Sequence, residues 1–103
     1  MKRPWGHWEL LTKGDNYWVK ALFVEPRESL SLQRHEGRSE HWVAVEGDAT
    51  VVLGQMVVTL HPNGKCYIPK GMWHQLINET DNPLIVIEVA TGVCKESDIE
   101  RKE

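Results

Sequence analysis

The chain has 103 residues, 41 % of them hydrophobic and 26 % charged, with a formal net charge of -3. That size holds one domain, 1–103, with a real core and no second one, and the composition excludes a disordered chain. The mild acidity gives no electrostatic attraction for nucleic acid or an anionic membrane, so neither is expected as a partner.

No apolar run approaches the ~20 residues that a membrane-spanning helix needs. The start, MKRPWGHW, lacks the apolar segment of a secretory signal, and a cytoplasmic location is expected. Cys66 and Cys94 make neither a disulfide framework nor a CxxC pair; each reads as a small hydrophobe or a tail residue.

In chain order, short runs rich in β-branched and aromatic residues predict strands over 5–11, 17–24, 29–35, 41–45, 49–53, 56–60, 65–68, 75–78 and 84–89. Clusters of Gly, Pro, Asn and Asp separate them, and Gly54 sits where a tight hairpin between 52 and 57 needs positive φ. Many short strands at such spacing predict an all-β sandwich or barrel. The tail, 95–101, reads as a short helical turn that Ser97 could cap.

Alternation then assigns faces. Gln33 and His35 share one with Ser29 and Ser31, while Leu30 and Leu32 point the other way. Glu40 faces as Trp42 does, and His41, Val43 and Val45 face oppositely. Apolar side chains on both faces need cover on both sides, which predicts a second layer or a homodimer contact.

A divalent metal needs lone-pair donors converging from stiff elements. Gln33 and His35 project together from one strand, Glu40 joins them across a short turn, and His74 follows a Pro-x-Gly turn on another strand. Two imidazoles, a carboxylate and an amide oxygen would leave coordination positions open. Taken singly, each has a duller reading, a hydrogen-bonded strand residue or an ion-pair partner, and spacing alone leaves both readings open.

The pattern resembles the cupins. Gln33-Arg34-His35, Glu40 and Gly47 follow their first motif, and Pro69-Lys70-Gly71, His74 and Asn78 follow the second. It resembles more closely the type II phosphomannose isomerase module found C-terminal in bifunctional mannose-1-phosphate guanylyltransferase/isomerases. Arg3-Pro4-Trp5-Gly6, Tyr17-Trp18-Val19-Lys20, the 30–42 run, Tyr67 to His74, Glu88-Val89 with Gly92, and Asp98-Ile99-Glu100-Arg101 carry that likeness over almost the whole chain. Two positions depart from it, Glu36-Gly37 where the family has a further His and Gln75 where an Arg commonly follows the motif-two His, and the family's D-x-Y-G-R ending is also not matched.

The resemblance implies a double-stranded β-helix, a jelly-roll barrel, holding one divalent metal through Gln33, His35, Glu40 and His74. Zinc is favoured, with Mn, Co, Ni or Fe as alternatives. It implies interconversion of mannose 6-phosphate and fructose 6-phosphate through a cis-enediol, in mannose and polysaccharide precursor metabolism. Arg38 is the expected anion holder or else the ion-pair partner of Glu40, and Lys20 the proton-transferring base or else a phosphate ligand. Trp42 and Trp73 are expected mainly in the core, and Trp5, Trp8 and Trp18 over a barrel face or dimer seam. The other readings are a non-catalytic cupin binding a sugar or small acid, and an Fe-dependent cupin oxygenase.

Overall fold

Residues 1–102 are described by a computed structural model. The strands are β1 Lys2–Arg3, β2 Gly6–Lys13, β3 Tyr17–Val24, β4 Leu32–Arg34, β5 Arg38–Glu46, β6 Ala49–Leu53, β7 Met56–Leu60, β8 Lys65–Ile68, β9 His74–Ile77, β10 Leu84–Gly92 and β11 Glu100–Lys102. They form a six-stranded sheet in the order β1-β2-β3-β10-β5-β8 and a five-stranded sheet in the order β11-β4-β9-β6-β7. Every neighbouring pair is antiparallel. This is the expected all-β double-stranded β-helix, and among the described residues no helix is long and apolar enough to cross a membrane.

Period-2 alternation decides which side chains meet between the sheets. Along β10, Leu84, Val86, Glu88 and Ala90 are buried and Ile85, Ile87 and Val89 are half-buried on the outer face. Along β5, Glu40, Trp42 and Ala44 point in, while His41 lies outside against the ring of Tyr67 at 4.8 Å. Leu22, Val24, Ala44, Val51, Leu76, Leu84 and Val86 belong to one continuous apolar cluster. Gly54 turns the β6–β7 hairpin with φ 61°, as its position predicts, and leaves Leu53 paired with Met56.

Three local expectations change. Strand β5 begins at Arg38, ahead of the expected start at 41, so Arg38 and Ser39 stand on a strand and not in the turn. The 29–35 strand is reduced to Leu32–Arg34 with an isolated bridge at Ser29, and Leu30, outside the regular pleat, packs on the core. The tail makes one tight turn and no helix: the Asp98 amide donates to the Lys95 carbonyl at 3.1 Å, the carbonyls of Lys95 and Asp98 also accept from Arg38 and His35, and Glu100–Lys102 pairs with β4.

Candidate metal centre and its pocket

Two strands of the smaller sheet and one of the larger bring the predicted ligands together. Gln33 on β4 is paired across the sheet with His74 on β9, so the two side chains share the inward face. The Gly71 amide donates to the His35 carbonyl at 2.7 Å and ties the Pro-x-Gly turn to the other motif. Suitable atoms of His35, Glu40 and His74 all lie within 4.8 Å of one another, and all three residues are buried. His35 Nε2 is 3.4 Å from Glu40 Oε2, and His74 Nε2 is 3.8 Å from Glu40 Oε1.

The chemistry of this donor set fits a divalent ion. Nδ1 of His35 bonds the Asp98 carbonyl at 2.7 Å and Nδ1 of His74 the Met72 carbonyl at 2.9 Å. A carbonyl only accepts, so the proton is assigned to Nδ1 and the Nε2 lone pair faces the shared point. Burial, reinforced by Arg38, pushes His35 down to about 4. Burial also lowers His74. Both rings are therefore neutral near pH 7, the form that binds a metal. The Gln33 amide nitrogen lies 3.3 Å from the Ser31 carbonyl, which assigns the nitrogen to that side and frees the amide oxygen for an ion.

Arg38 is built into this centre. Its Nε donates to Glu40 Oε2 at 2.9 Å, Nη1 to the Lys95 carbonyl at 2.9 Å, and Nη2 to the Nε2 lone pair of His35 at 3.2 Å, a bond that an ion held by that lone pair would replace. The segment after β10 is a strap that holds these groups. Val93 donates to the Gly37 carbonyl, and the Asp98 carboxylate accepts from the Glu36 and Gly37 amides, which hold its carboxyl below the usual range. Gly92 starts the strap at φ 116°, where a Cβ would come within 2.4 Å of the Gly37 oxygen.

The centre forms one wall of a pocket of about 450 Å³ whose lining includes Gln33, His35, Arg38, Glu40 and Lys20, with Arg3, Trp5, Trp8 and Arg101 among the others. That size suits a small-molecule ligand. Lys20, 6 % exposed, bonds Glu96 at 2.6 Å and lies 3.9 Å and 4.0 Å from the ring centroids of Trp8 and Trp18. Trp5 and Trp8, expected over a barrel face or dimer seam, line the pocket and pack against the core, and Trp18 is buried beside Lys20. Trp42 packs in the core and also lines the pocket, and Trp73 lies under the cations of Arg34 and Lys102.

Sequence reasoning passed over Glu88, which is 6 % exposed, accepts from Trp18 Nε1 at 2.9 Å and from Trp42 Nε1 at 3.3 Å, and lines the same pocket. A signal was present: within the apolar run 84–90 it is the one charged residue, in phase with inward Leu84 and Val86. The two departures from the motif fall outside the pocket. Glu36 is exposed, and Gln75, next to inward His74, half-buried, bonds the Leu30 carbonyl at 2.9 Å. Asn78 closes a turn by donating to the carbonyls of Val24, Glu25 and Asn82.

Comparison with known proteins agrees with this geometry. The family described as "Mannose-6-phosphate isomerase C-terminal" matches residues 1–103. The xanthan biosynthesis protein XanB of Xanthomonas campestris pv. campestris is 43 % identical over 102 residues, covering 98 % of this chain and 22 % of its own. A mannose-1-phosphate guanylyltransferase of Escherichia coli K12 is 44 % identical over 96 residues, covering 93 % of this chain and 20 % of its own. The chain thus spans about a fifth of the length of these relatives. A cupin 2 domain-containing protein of Halorhodospira halophila superposes with a TM-score of 0.81 at 23 % identity, over 94 % of this chain and 70 % of that one, and shares the fold. With its whole length matched and its barrel that of a cupin, this chain belongs to the mannose-6-phosphate isomerase C-terminal family.

Proposed function

We propose that this domain is a metal-dependent sugar-phosphate isomerase that interconverts mannose 6-phosphate and fructose 6-phosphate for polysaccharide precursor synthesis in the cytoplasm. The observation that carries the reading is the convergence of His35, Glu40 and His74 on one point, with His35 and Glu40 lining a pocket that also holds Arg38 and Lys20. Gln33 completes the ligand set, with zinc as the first choice of ion. A bound divalent ion supplies Lewis-acid polarisation of the sugar oxygens.

The chain's own residues do the rest. Arg38 orients the Glu40 carboxylate through a charge-assisted bond. Lys20, held between two ring faces and a carboxylate, has surroundings that complement a cation, and its role is to attract the substrate phosphate in exchange for Glu96. Arg3 and Arg101 add positive charge to the pocket lining. Because an Arg at position 75 would lie on the half-buried side of β9, outside the pocket lining, Gln75 removes no charge from the pocket, which favours the enzyme over a binding-only cupin.

Assays on purified protein stripped of metal and reloaded with Zn, Mn, Co, Ni or Fe test this. Turnover of mannose 6-phosphate with at least one ion is expected. Saturable sugar-phosphate binding with no turnover would replace it by the binding reading, and oxygen uptake with Fe by the oxygenase. The expected homodimer belongs on the outer face of the larger sheet, where Phe23, Ile85, Ile87 and Val89 are half-buried side by side. Sedimentation at the mass of two chains is the predicted result, and a single-chain mass refutes it.

A further inference from the structure

We propose that Glu88 is the catalytic residue that carries the proton between C2 and C1 of the substrate, an assignment that rests on the isomerase reading above. Isomerisation needs one group that is in the pocket, can accept a proton, and is not already committed to another task. Of the ionisable side chains that line the pocket, His35, His74's partner across the centre, and Glu40 turn their lone pairs to the metal point. Arg3, Arg38 and Arg101 have no lone pair to offer, and the Lys20 ammonium is bonded to Glu96. Glu96 itself has a side chain 60 % exposed and serves as that counterion.

Glu88 is left, and its surroundings are those of a working carboxylate. It stands opposite Lys20 on β3 and Trp42 on β5 in the register of the central strands. Both bonds to its oxygens come from indole N–H groups, at 2.9 Å and 3.3 Å. An indole only donates, so these bonds fix the carboxylate plane and leave each oxygen a further lone pair. Among the described residues Glu88 has no ion-pair partner, although it is buried, an arrangement that costs stability and that is found at sites of function. Burial, with the charge of Glu40 behind it, pushes its carboxyl up to about 7, near the value at which a group can both take and return a proton. The Trp42 indole also bonds Glu40 Oε1 at 3.0 Å, so one N–H bridges the proton carrier and a ligand of the metal point.

The step balances with no other reagent. The carboxylate takes the C2 proton of the open-chain aldose. The C2–H electron pair becomes the C1–C2 double bond while the C1 carbonyl pair moves onto O1. The O2 proton passes to O1, an O2 lone pair forms the new carbonyl at C2, and the double-bond pair takes the proton back from Glu88 at C1. One carboxylate on one wall serves both carbons because the enediol is cis and both transfers occur on the same face.

The test compares wild type, Glu88→Gln and Glu88→Ala, each loaded with the same metal. For Glu88→Gln, kcat is expected to fall about 10²- to 10⁴-fold, while KM and metal content stay near those of wild type and the barrel remains folded. For Glu88→Ala, added formate is expected to restore turnover at least about tenfold in a concentration-dependent way, which a merely structural role would not allow. Wild-type-like turnover in Glu88→Gln, or no effect of formate on a folded and metal-loaded Glu88→Ala, overturns the assignment and leaves the isomerase reading standing. A wild type that turns over no mannose 6-phosphate with any ion overturns both.

Discussion

The interior of this barrel has two ends, and the three central strands change character at the same level. At one end β3, β10 and β5 contribute Leu22 and Val24, Leu84 and Val86, and Ala44, which register places side by side. One step further along the same strands the inward positions are Lys20, Glu88 and Trp42, and beyond them Trp18, Ala90 and Glu40. The same pleat thus builds a dry core and a polar chamber, and only side-chain chemistry distinguishes them. The apolar end is stabilised by burial, and the polar end is tolerable because its buried groups find partners. Among the described residues no buried side-chain polar atom lacks one.

Breaking the polar end at a ligand is predicted to have the largest effect on activity. His74→Ala removes one imidazole from the centre, and metal content and isomerase turnover are expected to disappear together while the circular dichroism of the barrel persists. Breaking the apolar end does the reverse. Leu76→Ala, at a fully buried position, should cost about 2–5 kcal/mol of stability in denaturant titrations, with metal stoichiometry of the folded protein unchanged. Loss of metal binding in Leu76→Ala at full folding would show that the two ends are not separable.

A smaller effect is expected from the strap. Asp98→Asn weakens the bonds to the Glu36 and Gly37 amides that hold the backbone around His35 and Arg38. Metal affinity should fall about 10–100-fold, read by competition with a chelator, since groups behind the ligands set their orientation.

The pH dependence of the metal-free protein distinguishes the ends most finely. His35 has its ordinary value of 6.5 lowered to about 4, so between these the unfolded chain binds the extra proton; stability is full above 6.5 and is lost as pH falls toward 4. Glu88 has the opposite sign. Its value rises from 4.5 to about 7, so its contribution is full below 4.5 and is lost as pH rises through 7. Glu88→Gln removes only the second loss. Its denaturation midpoint should exceed that of wild type above pH 7 and converge with it below pH 4.5; equal midpoints at every pH would refute the buried, ionisable state of Glu88.

Much of this division is legible in the sequence, and the reasons for the rest are physical. Alternation places Gln33 with His35 and Glu40 with Trp42 on inward faces, because a strand's period of two survives in any sheet. The hairpin at Gly54 follows from local backbone chemistry alone. The tail keeps only a tight turn at 95–98 of the helical pattern expected over 95–101, because Ser97 and the charged residues around it fit an exposed cap as well as they fit a strap. What decides between them is the demand of His35 and Arg38 for distant carbonyls, which no local pattern records. Trp8 reaches the pocket because β2 pairs with β3 beside Lys20, again a tertiary fact. Glu88 was within reach, since a lone carboxylate at an inward position of an apolar strand calls for a function or a partner.

Anomalous diffraction from crystals soaked in zinc tests the metal centre most directly. A single peak between His35 Nε2, the Glu40 carboxylate and His74 Nε2, with the Gln33 amide oxygen in contact, is the predicted result. A peak elsewhere in the chain, or none at a zinc concentration that saturates binding in solution, would contradict it.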